Sequence, residues 1–380
     1  MKFIHTSDWH IGRQLHNQSL LDDQRHVLLQ IIEMAKEKDV DALIIAGDIY
    51  DRSVPPANAV ALLNEVLNTL VNELKISVIM IAGNHDGHER LGFASRQMQE
   101  SGLHIVGPLS ASLNPIKLKG KQGCAMFYPL PYADPAMVRH VFECEVSTHE
   151  EAMKKLLEQV TEHDAKELPK VVISHCFLDG GTESDSERPI SIGGADKISP
   201  SLFSDYQYTA LGHLHGPQYK GSEQIRYSGS PLKYSFSEQN QKKSVTLVEF
   251  DSTGTADISL LPLSAMRDVR IVGGLLSDIL LAGQTDPNRD DYLMVRLLDK
   301  SAILDAMGKL RAVYPNVLHL ERTGLMAQNQ QLDIGKEHIK KGELDMFSDF
   351  FSQVYGESLT EEQHSAIVDT IDSLHKGEQA

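Results

Sequence analysis

Cysteine, tryptophan and positive charge are all scarce in this 380-residue chain. Its three cysteines (Cys124, Cys144, Cys176) are an odd number with no CxxC pair. That excludes a disulfide framework and a structural zinc knuckle, and it fits a reducing cytosol. Lys and Arg total 36 against 53 Asp and Glu, a formal net charge of -17. No global basic field announces nucleic acid or an anionic membrane. No uncharged apolar run approaches the roughly 20 residues that a membrane helix needs. The N-terminal Met1-Lys2-Phe3-Ile4-His5 turns polar after two apolar residues, so a soluble, cytoplasmic protein is expected. There is no internal repeat, no low-complexity tract and no GxxxxGK[ST] phosphate loop.

What is present describes an ordinary globular protein, 41% hydrophobic and 23% charged. At about 150 residues per domain, the length predicts two to three domains. Val27, Leu28, Ile31, Ile32 and Ala35 share one helix face, and Ala42-Leu-Ile-Ile-Ala46 reads as a buried strand. Leu63, Val66, Leu67, Leu70, Val71 and Leu74 mark a second helix before a strand at Ile76-Ser-Val-Ile-Met-Ile81. This alternation is the pattern of an α/β sheet with helices on its faces. Buried strands follow at Lys170–Ser174 and Tyr208–Leu211, then antiparallel ones at Ser244–Phe250 and Ala256–Leu261 around the turn Asp251-Ser-Thr-Gly254. A first domain over residues 1–262 is expected. A second domain over residues 263–335 is expected, in which residues 264–327 read β-α-β-α-β, with strands at Val269–Val272, Tyr292–Leu297 and Val317–Leu320 and helices from Leu276 and over Ala302–Val313. Residues 336–380 read as helical, with Phe347, Phe350, Phe351, Val354 and Tyr355 on one stripe. Thr360 and Gln363 form a capping box ahead of Ile367, Ile371 and Leu374.

The residues that carry chemistry stand just after the predicted strands, where an open α/β sheet places its ligands. They are Asp8-Trp-His10, Gly47-Asp48-Ile-Tyr-Asp51, Gly83-Asn84-His85-Asp86, Ser174-His175 and Gly212-His213-Leu-His215. Asp8, His10, Asp48, Asn84, His175, His213 and His215 are too many ligands for one tetrahedral zinc and too rich in nitrogen for magnesium or calcium. Two transition metals match better. A carboxylate bridges two cations most easily, and Asp48 on its Gly47 turn is the candidate. Two such metals about 3.5–4 Å apart hold a hydroxide at neutral pH and clamp phosphate oxygens, the apparatus of phosphate-ester hydrolysis. His85 is left free to hydrogen-bond the phosphate or protonate the leaving oxygen, with Asp51 placed to hold its tautomer.

The blocks DxH, GDxxD, GNHD and GHxH, in this order, resemble the calcineurin-like metallophosphoesterase signature. Five segments resemble more narrowly the SbcD family, the exonuclease subunits of bacterial SbcCD complexes. They are His5-Thr-Ser-Asp-Trp-His-Ile-Gly12, Ala46-Gly-Asp-Ile-Tyr-Asp51, Ile81-Ala-Gly-Asn-His-Asp86, Ala210-Leu-Gly-His-Leu-His215 and Tyr227-Ser-Gly-Ser-Pro-Leu232. The likeness is strong over residues 1–262 and architectural thereafter. It implies an α/β fold: a metallophosphoesterase β-sandwich flanked by helices, then a small α+β capping domain and a C-terminal helical segment. It implies two divalent metals, Mn2+ by family habit. One would be held by Asp8, His10, Asp48 and His215, the other by Asp48, Asn84, His175 and His213, with His85 catalytic. It further implies a nucleoid-associated homodimer that acts on DNA ends, single strands and hairpins beside an SbcC-type SMC-like ATPase, the source of any ATP dependence. Rival readings are a nucleotidase or phosphatase of the same superfamily, and a clamp that holds DNA ends without cutting.

Other residues carry plainer readings. Cys176 is expected to be a small core residue. Trp9, the only tryptophan, reads as packing that orients its neighbours. His5 is either a support for the ligands or purely structural. Pro55-Pro56 belongs either to a surface near the dimer and DNA or simply to a helix start. The Phe347–Tyr355 stripe is either core or a docking face for the ATPase partner.

Overall fold

In the computed structural model, the residues described are 1–112, 114–162, 168–190, 197–301, 303–323, 344, 347–348, 351–352 and 355–377, with 372–377 as backbone only. The chain divides into two units, Met1–Asp268 and Val269–Ala380.

The first unit opens with β1 (Lys2–Thr6), α1 (Leu21–Glu37), β2 (Ala42–Ile45), α2 (Ala57–Leu67), β3 (Ser77–Ile81) and β4 (Leu103–Val106). It continues through β5 (Ile116–Gly120), β6 (Gly123–Leu130), α3 (Pro135–Phe142), α4 (His149–Glu162), β7 (Lys170–His175) and β8 (Tyr208–Gly212). It closes with β9 (Gln218–Lys220), β10 (Ser222–Tyr227), β11 (Ser244–Phe250) and β12 (Ala256–Pro262).

These strands form two six-stranded sheets, ordered β12-β11-β1-β2-β3-β4 and β9-β10-β8-β7-β6-β5. Strands β1-β2-β3-β4 of one and β10-β8-β7-β6 of the other are parallel; antiparallel strands flank them at one edge of the first sheet and at both edges of the second. The apolar run of β2 shows why the sheets must be covered on both faces. Leu43 and Ile45 pack with Val27, Leu28, Ile31 and Leu62 of α1 and α2, while Ala42 and Ile44 turn into the space between the sheets. There Phe3 meets Phe127 at 5.5 Å and Tyr208 at 5.7 Å between ring centroids, both edge-on. Val138 of α3 and Leu156 and Val160 of α4 cover the outer face of the second sheet. The result is a β-sandwich flanked by helices.

The predicted second helix, running to Leu74, differs in detail: α2 ends at Leu67 and Asn68–Glu73 form a π-turn that keeps Leu70 and Val71 buried.

The second unit holds β13 (Val269–Gly274), α5 (Leu276–Gly283), β14 (Tyr292–Leu297), α6 (Ala306–Arg311) and β15 (Val317–Arg322), with the three strands parallel. Helix α6 is shorter than the predicted Ala302–Val313. Asp305 sits at φ 50° as its N-cap, and its carboxylate accepts from Gly308 N at 3.1 Å, so the helix starts there. Helix α7 (Glu361–Gly377) follows the expected capping box: Thr360 N donates to Gln363 Oε1 (3.0 Å) and Gln363 N to Thr360 Oγ1 (3.3 Å). Of the aromatic stripe, Phe350 and Val354 lie outside the described residues. Phe347, Phe351 and Tyr355 stack in sequence, with centroids 6.5 and 4.7 Å apart. Among the described residues no helix is long and apolar enough to cross a membrane.

Candidate metal centre

The carboxyl ends of β1, β2 and β3 in one sheet and of β7 and β8 in the other arrive at the same edge of the sandwich, and the five blocks meet there. The turns that deliver them are tight. Asp8, His10 and Asp48 have φ of 53°, 44° and 51°, the left-handed region that costs a non-glycine residue energy, and His213 sits at 109°. Gly47 precedes Asp48 at φ 92°, where a Cβ would stand 2.3 Å from His175 Nδ1.

Asp8 and Asp48 are 0% and 2% exposed. Asp8 Oδ1 accepts from His213 N (2.9 Å) and Oδ2 from Ser7 Oγ (2.6 Å). Asp48 Oδ1 accepts from His85 N (2.9 Å), which turns Oδ2 toward three imidazoles: His10 Nε2 at 3.5 Å, His175 Nε2 at 3.6 Å and His85 Nε2 at 4.0 Å. Three sets of donor atoms converge closely enough to hold an ion: Asp8 with His10 and His215, Asp8 with Asp48 and His175, and His10 with Asp51 and His85. Asn84 Oδ1 lies 2.9 Å from His175 Nε2. His213 falls in none of those sets; its ring lies beside those of His175 (5.5 Å) and Phe177 (6.1 Å).

The electrostatics suit cations. Burial, then the charge of Asp48, raises the Asp8 carboxyl above its ordinary range. Burial likewise holds His10, His175 and His213 below the usual imidazole value, keeping them neutral. His175 Nδ1 is taken by Ala46 O at 2.9 Å, so Nε2 keeps its lone pair. His10 Nε2 and His215 Nε2 stand 3.1 Å apart, and buried His10 Nδ1 has no hydrogen-bond partner among the described residues. Carboxylate oxygens, an amide oxygen and imidazole lone pairs turned on one another fit divalent metal ions, which resolve that arrangement.

A family model described as calcineurin-like phosphoesterase matches residues 1–217. The chain belongs to the calcineurin-like phosphoesterase family. A calcineurin-like phosphoesterase is a metal-dependent phosphoester hydrolase, and the clustered histidines and carboxylates provide for its divalent metals. A second model, the SbcD C-terminal domain described as Type 5 capsule protein repressor C-terminal domain, matches residues 265–355. The pair of matches makes this phosphoesterase an SbcD-type chain. Among solved structures it is similar to TT1561 of Thermus thermophilus (13% identity, TM-score 0.39, covering 68% of this chain and 98% of that one). It is also similar to a hypothetical protein from the same organism (9%, 0.37, 69% and 99%) and to a dimetal phosphatase from Danio rerio (12%, 0.41, 70% and 96%).

Around the phosphoesterase centre stand residues that sequence reading left without a role. Asp86 accepts from Gly83 N (2.9 Å), Ile49 N (3.1 Å) and Tyr50 N (3.0 Å), stitching two ligand loops together. Burial and the nearby Asp48 push its carboxyl up to about 7. Its place inside GNHD was the available signal. Ser186, Glu187, Glu238 and Lys243 carried no local signal at all. Burial works against an ionised Glu238, but Lys243 Nζ at 2.5 Å and the hydrogen bonds around it hold that carboxyl well below the usual range.

Asp51 reaches His85 through its main chain: His85 Nδ1 meets Asp51 O at 2.9 Å, while the carboxylate accepts from Arg13 (3.3 Å) and stands 3.9 Å from His10 Nδ1. His5 is a structural tie, with Nδ1 on Tyr208 OH (2.9 Å) and Nε2 on Leu211 O (3.2 Å). Buried Cys176 has its thiol pushed up to about 12 by burial, so it stays protonated as a small core residue. Buried Trp9 donates Nε1–H to Thr6 Oγ1 at 2.9 Å.

Proposed function

We propose that this protein is the nuclease subunit of an SbcC–SbcD-type DNA repair complex, a 3′→5′ double-strand exonuclease and single-strand and hairpin endonuclease. The observation that carries the reading is the presence, in one chain, of a phosphoesterase centre and an SbcD C-terminal domain. Asp8, His10, Asp48 and His215 would hold one cation and Asp48, Asn84, His175 and His213 the other, with Mn2+ the metal. Such ions, when bound, lower the pKa of water and neutralise phosphate charge.

The side chains do the rest. Asp48, oriented by the His85 amide, serves both sets. His85 is anchored at Nδ1 by the Asp51 carbonyl and presents Nε2 at the mouth, its side chain 12% exposed. From there the ring, when it carries protons on both nitrogens, hydrogen-bonds a phosphate oxygen and gives its Nε2 proton to the departing sugar oxygen. The Asp51 carboxylate keeps Arg13 at the same mouth. The protein works as a homodimer on DNA ends and hairpins, and the Phe347–Tyr355 stripe docks on the SbcC-type ATPase.

His85→Gln tests this directly. Manganese-dependent cleavage of a linear duplex should fall at least about 100-fold while two metal equivalents stay bound. Undiminished cleavage with metals in place removes the assigned role. Turnover of a nitrophenyl monoester equal to that of DNA, with no binding to an SbcC-type ATPase, would favour a nucleotidase or phosphatase instead.

A further inference from the structure

His215 is held at every polar atom but one. Its N–H donates to Glu187 Oε1 at 2.9 Å, its carbonyl accepts from Lys243 Nζ at 2.9 Å, and its Nδ1 lies 2.5 Å from Ser186 Oγ. Only Nε2 is left, and it faces His10 Nε2. The three residues doing this lie 28, 28 and 29 positions away in the chain. They join a buried group in which Ser186, Glu238 and Lys243 are 6%, 0% and 7% exposed.

The hydrogens in that group can be placed by elimination. Lys243 Nζ donates to Glu238 Oε2 at 2.5 Å, so the carboxylate is the anion of an ion pair and only accepts. Ser186 Oγ is also 2.5 Å from Glu238 Oε1, a separation that requires a hydrogen between the oxygens, and the serine hydroxyl is its source. Ser186 has no second hydrogen, and its third neighbour, Ser184 Oγ at 2.9 Å, carries a hydrogen of its own. Its equally short contact with His215 must therefore use the imidazole's own Nδ1–H, with Oγ accepting.

We infer that the buried relay Lys243–Glu238–Ser186 is a positioning device that locks His215 as the Nδ1–H tautomer and leaves its Nε2 lone pair for a metal ion. A carboxylate, a backbone carbonyl or a water usually takes a ligand histidine's second N–H directly. Here Glu238 Oε1 is 3.6 Å from Nδ1 and a serine hydroxyl fills the gap. Ser186, Glu238 and Lys243 act through His215. The inference rests on His215 being a ligand, as proposed above.

The test uses the full-length chain. In metal-free wild type with 15N-histidine, long-range 1H–15N spectra should show the His215 signal, assigned by its loss in His215→Gln, as protonated at Nδ1. In Ser186→Ala the tautomer preference should be lost and Mn2+ affinity at the weaker-bound equivalent, read by calorimetry, should fall about 10- to 100-fold. Ser186→Thr keeps the hydroxyl and should restore both readings to within about threefold. His215 protonated at Nε2 in the wild type overturns the inference without any variant being needed. So does Ser186→Ala with wild-type Mn2+ affinity and an unchanged tautomer. A wild type with Ser186-dependent metal binding that cuts no DNA sinks the nuclease reading and leaves the relay standing. DNA cleavage in wild type alongside an indifferent Ser186→Ala does the reverse.

Discussion

His5 stands three residues before Asp8, yet its ring serves the scaffold. Burial, reinforced by Arg226 and partly offset by the Leu211 carbonyl, brings its pKa down to about 3 from an ordinary 6.5. The unfolded chain therefore binds the proton first. The neutral ring's contribution to stability is fully present above pH 6.5 and is lost as pH falls toward 3. His5→Asn should cost about 1–3 kcal/mol at pH 7 through broken hydrogen bonds. It should also flatten the stability slope between pH 6 and 4 by up to about 1.4 kcal/mol per pH unit. Urea unfolding in chelator at three pH values reads both effects. An unchanged slope would mean His5 is not carried neutral into the fold. The sequence placed His5 beside the first block but could not choose its role, because its partners Tyr208 and Leu211 are more than 200 positions away.

At the scale of elements, loop backbone conformation brings the ligands together. Gly47 is constrained twice over, since both its φ of 92° and the 2.3 Å approach to His175 Nδ1 exclude a side chain. Gly47→Ala should destabilise the protein by at least about 2 kcal/mol through strain and clash, and weaken metal binding more than tenfold. Gly254, at φ 83° in the turn between β11 and β12, is the control. Gly254→Ala should cost only about 1 kcal/mol and leave metal affinity unchanged. Thermal unfolding with metal calorimetry distinguishes them; equal losses of metal affinity would show that the Gly47 loop has no special geometry. The blocks were legible because each is local and follows a buried strand. The π-turn after α2 and the Asp305 start of α6 were not, since periodicity marks a helical face and not where its hydrogen bonds change partner.

At the scale of the molecule, the charge of -17 argues against a DNA-binding chain until its distribution is considered. The last 40 residues hold nine acidic residues against two lysines, so over a third of the excess lies in the proposed docking tail. Asp8 and Asp48 are further negative charges that divalent metals would more than cancel. The remaining basic residues are scattered, for example Lys117, Lys119 and Lys121. The isolated chain should bind duplex DNA weakly, with Mn2+ strengthening the complex and a rise from about 50 to 200 mM salt weakening it more than tenfold. Fluorescence anisotropy measures this. Tight, salt-insensitive binding in chelator would place the affinity somewhere other than in metals and the proposed dimer and ATPase partner.

The sequence by itself determined the elements and the ligand loops, because hydrophobic period, capping boxes and strand-end glycines act over a few residues. The cap of α7 and the two-faced burial of β2 follow from such rules alone. Only the tertiary structure decided what surrounds the ligands. Packing one sheet on the other brings Ser186, Glu187, Glu238 and Lys243 around His215. A buried carboxylate, ammonium and hydroxyl must find one another wherever the chain happens to carry them, and that need leaves no periodic trace in the sequence.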